Sequence, residues 1–247
     1  MVSYKKKLYF INVHISWFGY KYNLWDFFSF NAGMHVKNNQ NKKVPGIRAD
    51  THTLELDLTQ DTESIFAGFA KQIRQQYKIS ENEGITTYFH SDIDGFVHFF
   101  NNFASRKNTF TTSRRRIEEM GDNLKLAYAE HNGEILAAHS YLADEDTGVV
   151  RHMHSATKRL DDMTDKNLVG RANKYLTVKD ILYFKENGFT TFDFGGYAAE
   201  TKDESLQGIN KFKLLFGGKL VGCKNYYSLP YWASKKIVNS LGLHSEV

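Results

Sequence analysis

Residues 192–197 read FDFGGY, an aspartate set between two phenylalanines and followed by a pair of glycines. Strand alternation puts Asp193 on the face opposite Phe192 and Phe194, and the glycines end the run in a turn. Upstream, RANKYLTVKDILYFKENG (171–188) carries Tyr175, Val178, Ile181 and Leu182 at helical spacing and closes on Gly188. Downstream come a helix, GINKFKLLFG (208–217), and a strand, LVGCKNYYSL (220–229). The six residues therefore form one strand in an alternation of helices and strands.

Further upstream lie LKLAYAE (124–130), EILAAHSYLA (134–143) and VVRHMHSAT (149–157). His131-Asn132-Gly133 and the acidic DEDTG separate them, which predicts a three-stranded antiparallel meander. Before the meander come a strand, ITTYF (85–89), a helix, DGFVHFFNNFAS (94–105), and a short helix, SRRRIEEM (113–120). THTLELDL (51–58) alternates as a half-buried strand. Thr59 or Asp61 then caps a helix over 62–79 with Ile65, Phe69 and Ile73 on one face, and Gly84 stops it. The order is that of an α+β protein.

At 247 residues, with 41% hydrophobic and 24% charged residues, the chain can bury a core without disulfides or metals. The single Cys223 excludes an internal disulfide framework and a cysteine-based zinc site, and fits a reducing, cytoplasmic compartment. A net charge of +4 from 32 basic and 28 acidic residues suits phosphorylated ligands and does not indicate DNA. The N-terminal MVSYKKKLYFINVHISWFGY is interrupted by His14 and Trp17, so it predicts an aromatic strand pair rather than a leader or a transmembrane segment. A membrane-surface or partner-binding patch is the other reading of those aromatics. The polar stretch 37–50 is expected to be a surface loop.

The element order resembles the GNAT acyltransferase superfamily. Residues 165–225 are more narrowly similar to the C-terminal half of the Fem family, the peptidoglycan bridge-forming aminoacyltransferases, and its single-domain relatives. The matching motifs are Asp193, Gly195 and Gly196, then Gly208 and Ile209, then Phe212, Lys213, Phe216, Gly217 and Gly218. The resemblance implies a central mixed, mostly antiparallel sheet with a splayed parallel strand pair, flanked by helices. It also implies a division into an extension over 1–84 and a GNAT-like domain over 85–247. Bridge-forming Fem enzymes carry two such domains and this chain has room for one full copy, which points away from peptidoglycan as acceptor.

What the resemblance implies for function is N-acyl transfer from acetyl-CoA or another acyl-CoA, without a metal, to an amino sugar or a lipid-linked envelope precursor. A Fem-like aminoacyltransferase using aminoacyl-transfer RNA, or a glycan-binding module without catalysis, is the alternative. The expected location is cytoplasmic or peripheral at the inner membrane face, and a homo-oligomer is left open. The splayed strands would be 149–157 and 190–196, so Ser155 and Ala156 would pair with the donor's arm. Asn167, Gly170, Arg171, Ala172 and Asn173 would form the phosphate loop, with Asn167 where the superfamily has Arg or Gln. Gly170 and Arg171 are equally readable as a loop glycine and a solvated side chain.

Asp193 either takes a proton or binds an ammonium group, or it only holds the turn by accepting from the glycine backbone. Lys213, matching the family's Phe-Lys pair, would stabilise the oxyanion or bind a donor phosphate; otherwise it is a surface lysine. Tyr197 could protonate the leaving group or simply pack. His139, His152 and His154, with the last two on one face, are expected to line an acceptor cleft rather than hold a metal. Arg74, and Arg114 to Arg116, are either anion contacts or solvated helix faces.

Overall fold

The computed structural model describes residues 1–8, 11–19, 23–37 and 46–240. By contacts the chain forms two compact units, Met1–Thr53 with Leu220–Val247, and Leu54–Lys219. The expected boundary at residue 84 does not coincide with this division: the strand and helices over 54–84 belong to the second unit.

In the first unit, β1 (Ser3–Leu8) and β2 (Ile11–Trp17) are the expected pair of N-terminal strands and run antiparallel, Ser3 facing Ser16 and Leu8 facing Ile11. β2 runs parallel to β3 (Asn31–Lys37), which pairs antiparallel with β10 (Lys219–Tyr227). Helix α7 (Leu229–Ser240) follows β10 and had no counterpart in the sequence reading. Residues 38–45 of the expected 37–50 loop lie outside the described residues. Ile47 to Asp50 are not loop but open β4 (Ile47–Asp57), where Asp50 pairs with Lys224 at 2.9 Å.

The second unit holds a mixed sheet in the order β4, β9 (Thr191–Gly196), β8 (Val149–Thr157), β7 (Glu134–Asp144), β6 (Leu124–His131), β5 (Thr86–Phe89). β5 to β8 are all antiparallel, which realises the predicted meander, and β8–β9 is parallel. The helices α1 (Thr62–Gly68), α2 (Lys71–Asn82), α3 (Ile93–Arg106), α4 (Arg114–Glu118), α5 (Lys166–Glu186) and α6 (Glu204–Leu214) flank it. Its core is aromatic: Phe184 and Phe192 pack around Tyr141, and Phe69, Phe194 and Phe216 meet ring against ring.

Asp61 caps α1 through Ser64 N–H at 2.8 Å, as expected. The single helix predicted over 62–79 is instead broken at Phe69–Ala70. Ala70 N–H donates to the Leu215 carbonyl at 2.8 Å, and Arg74 Nη1 satisfies the carbonyls of Ala67 and Phe69 at 2.6 and 2.7 Å. The break lets the chain cross the Phe216-Gly217-Gly218 segment at close quarters. A Cβ on Gly217 would stand 2.8 Å from the Gly68 carbonyl oxygen, and one on Gly218 would stand 2.8 Å from Leu54.

Candidate functional site

Strands β8 and β9 begin in register, with Val149, Val150 and Arg151 facing Thr191, Phe192 and Asp193, and their ladder ends there. On its other edge β8 keeps pairing with β7, but Ser140 faces His154 and Tyr141 faces His152, so Met153 is one residue too many. This β-bulge bends and twists the strand where it leaves β9. Across the gap, Gly195 has φ +82°, and its Cα side lies so close to the His152 carbonyl oxygen that a Cβ would stand 2.8 Å away. The result is a V between two parallel strands, closed at Arg151–Asp193 and open towards Ser155 and Gly196.

The closed end is ionic. Asp193 is 1% exposed; its Oδ2 accepts from Arg151 Nη1 at 2.6 Å and its Oδ1 from Gly195 N–H at 2.7 Å. A helix lysine covers the opening: Lys213 Nζ, carried on α6, donates to the Gly196 carbonyl at 2.6 Å. Burial, reinforced by the Arg151 charge and opposed by Asp193, lowers the Lys213 ammonium to about 8. Tyr197 lies just beyond the glycines, half-buried with its ring on the core.

The bulge separates two histidines that simple alternation would put on one face. His152 lies against His139 and Tyr141 on the α5 side, with ring centroids at 4.5 and 4.9 Å. His154 lies on the other side, between Phe96 and Phe100 of α3, with Nδ1 2.7 Å from Ser140 Oγ. His139 does not open on a cleft: it is fully buried, its Nδ1 2.9 Å from Asp180 and its Nε2 2.9 Å from Asn173, while the Tyr141 hydroxyl donates to Asp180 at 2.6 Å. Burial holds the Asp180 carboxyl above its ordinary range, against the two hydrogen bonds that lower it. Among the described residues, no group of three or more histidine, cysteine or acidic side chains is arranged to hold a metal ion.

Burial pushes His154 down to about 4, with the Arg116 charge assisting. A histidine whose folded pKa lies below its unfolded value of about 6.5 favours the fold while neutral. Its contribution is complete above that value and is lost as pH falls towards 4, up to roughly 3 kcal/mol. Urea melts at pH 7 and pH 4.5 should show that loss, and His154→Gln should flatten the slope.

The expected phosphate loop is not a loop. Asn167 to Asn173 form the first two turns of α5, which Asp165 caps by accepting from Asn167 N–H at 2.8 Å. Arg171 is held by a bidentate pair with Glu83, at 2.8 Å and 2.5 Å. Ala172 is buried and Asn173 is committed to His139. A Cβ on Gly170 would meet nothing within 4 Å. Gly170→Ala should therefore raise stability by about 0.5–1 kcal/mol through helix propensity. A calorimetric melt checks this, and a simultaneous loss of ligand affinity would show that a donor approaches the position.

Ser155, exposed, and Ala156, buried, lie on β8 beyond its last pair with β9. Arg74 is committed at the end of α1: its guanidinium bonds the Ala67 and Phe69 carbonyls and borders a hollow of about 640 Å³ with Thr62, Glu63, Phe66 and Ala67. Arg114 bonds Asp94 and Glu118, and Arg115 pairs with Glu119 at 3.5 Å.

Sequence reasoning passed over Arg151, Tyr141 and Asp180. Arg151 meets Asp193 across 42 residues of chain, which no local pattern reveals. Asp180 did leave a signal: Asn173, Thr177 and Asp180 recur four and three residues apart on the face that also carries Val169, Leu176 and Phe184, and polar residues on a buried helical face need partners.

No family model and no curated protein matches the sequence. Solved structures do match. FemX aligns over 95% of this chain and 85% of its own at TM-score 0.67 and 10% identity. The C-terminal domain of a protein assigned as a lysylphosphatidylglycerol synthetase from Agrobacterium fabrum aligns over 95% and 83% at TM-score 0.62 and 14% identity. L-PGS from Bacillus licheniformis aligns over 85% and 72% at TM-score 0.56 and 15% identity. Together with the bulged β8 and its parting from β9, these matches show that the chain has a GNAT-like, Fem-type fold.

Proposed function

We propose that the chain is an acyltransferase that passes an acyl group from an acyl-CoA to the amino group of an amino sugar or envelope precursor. The observation that carries this reading is the V between β8 and β9 with Lys213 across its mouth. The donor's amide-bearing arm would pair with the free run of β8 at Ser155 and Ala156, bringing the acyl carbonyl under Lys213. The acceptor nitrogen attacks the acyl carbon, and the carbonyl electron pair becomes an oxyanion facing the ammonium. Collapse of that intermediate breaks the bond to sulfur. The proton lost by the nitrogen ends on the departing thiolate, relayed by Tyr197.

Asp193 has the anchoring role in this scheme: its two oxygens are occupied by Arg151 and Gly195, and through them it holds the closed end of the V. His139, bonded to Asn173 and Asp180, fixes α5 against β7.

A second reading, an aminoacyl donor in place of CoA, is favoured by one specific feature. The N-terminus of α5, where a CoA pyrophosphate would sit, already holds the Asp165 carboxylate, with Asp161 and Asp162 just before it. Lysylphosphatidylglycerol, named in one of the structural matches, is itself an aminoacylated product. Thermal melts with CoA thioesters and with an aminoacyl-transfer-RNA mimic separate the two. Saturating the true donor at about 100 times its Kd adds about 2.7 kcal/mol, a rise of roughly 5–10 °C. A rise with thioesters supports the first reading, a rise with the mimic alone the second, and no rise with either overturns both.

A further inference from the structure

The two units differ in charge. Residues 1–53 and 220–247 contain 11 Lys and Arg against 3 Asp and Glu, a net +8, whereas residues 54–219 contain 21 against 25, a net −4. The basic unit also exposes large apolar side chains. Leu24, Trp25 and Phe28 are 58%, 78% and 58% exposed on a short 3-10 turn over Trp25–Phe28. This turn is built rather than loose: Asn23 Oδ1 accepts from the N–H of Trp25 at 2.8 Å and of Asp26 at 3.2 Å, and Asp26 Oδ2 accepts from Asn23 N–H at 2.7 Å. Asn31 Nδ2 ties its end by donating to the Asp26 carbonyl at 2.9 Å.

Helix α7 starts beside this turn, because Asn31 N–H donates to Ser228 Oγ at 3.1 Å and Ser228 N–H to the Asn31 carbonyl at 3.0 Å. Over 229–240 the helix has two lysines and no acid, with Leu229 and Ile237 also exposed. Lys236 lies over the Trp232 ring at 4.3 Å and Lys235 over Tyr227 at 4.8 Å, so their ammonium groups are carried at the edge of an aromatic surface. Rigid exposed Trp and Phe with a lysine border match the chemistry of a bilayer interface, where ring systems enter the headgroup region and ammonium groups meet lipid phosphate. A second copy of this chain would bring another +8 surface to the patch, which opposes self-association through it.

We propose that the turn at Leu24–Phe28 and the adjoining α7 dock the protein on an anionic lipid surface. The test is co-sedimentation of the full chain with vesicles of phosphatidylcholine alone or with roughly a third phosphatidylglycerol. Binding to the anionic vesicles should be at least about tenfold tighter and released by salt, since each lysine near such a surface adds about 1 kcal/mol, or roughly fivefold. Trp25→Ser with Phe28→Ser should weaken binding by about tenfold while leaving the melting temperature unchanged, because both side chains are solvent-exposed. Absence of binding to anionic vesicles, or binding that the double variant retains in full, overturns the proposal. So does light scattering that finds a dimer which the double variant dissolves, since the patch would then belong to a second copy.

Discussion

Asp193→Asn is expected to lower the unfolding free energy by about 3–5 kcal/mol, the loss that follows when one partner of a buried ion pair is removed and the other stays. The carboxylate is 1% exposed and 2.6 Å from the Arg151 guanidinium. An asparagine oxygen can still accept from Gly195 N–H, so the loss belongs to the charge. Arg151→Met combined with Asp193→Asn should recover part of it, because replacing both members of a buried pair is far less costly than breaking it. Urea titration of the three variants measures these differences directly. An alternative outcome, a loss below about 1 kcal/mol with turnover abolished, would make Asp193 a proton carrier rather than an anchor.

The segment around Asp193 shows what a sequence discloses and what it withholds. The strand, its two glycines and the helices on either side were legible because each depends on neighbours in the chain: apolar period, cap and turn. The Phe216-Gly217-Gly218 motif was legible as a pattern only. Its reason lies in Gly68 and Leu54, two residues that arrive from α1 and β4 and leave no room for a Cβ. Arg151 was invisible as a partner because strand pairing brought it to Asp193. The same limit explains the histidines: alternation puts His152 and His154 on one face, and a bulge at Met153, readable only from the β7 register, puts them on opposite ones. The helical start at Lys166 escaped for a different reason. A glycine with nothing near its missing Cβ reads as a loop signal, yet the Asp165 cap carries the helix through it.

Lys213→Ala should reduce turnover with the identified donor by about 10²–10³, the usual effect of deleting a group that faces a developing oxyanion. The pH profile carries the sharper test. With its ammonium lowered to about 8, Lys213 is charged below that pH and loses its proton above it. If the cation is what the reaction uses, the rate is level below about 8 and falls about tenfold per pH unit beyond it. Lys213→Arg, whose guanidinium keeps its charge throughout, should remove that fall even where the absolute rate is lower. A rate that climbs through about 8, and no longer climbs in Lys213→Arg, would identify the neutral amine as a base and overturn the oxyanion role. Unfolding does not confuse the result. A lysine whose folded pKa is below its unfolded value of about 10.4 opposes the fold while charged, and stability rises between pH 8 and that value. Replacing it with methionine at pH 7 should therefore leave the melting temperature unchanged or higher, so that lost activity in that variant reports the chemistry at the mouth of the V.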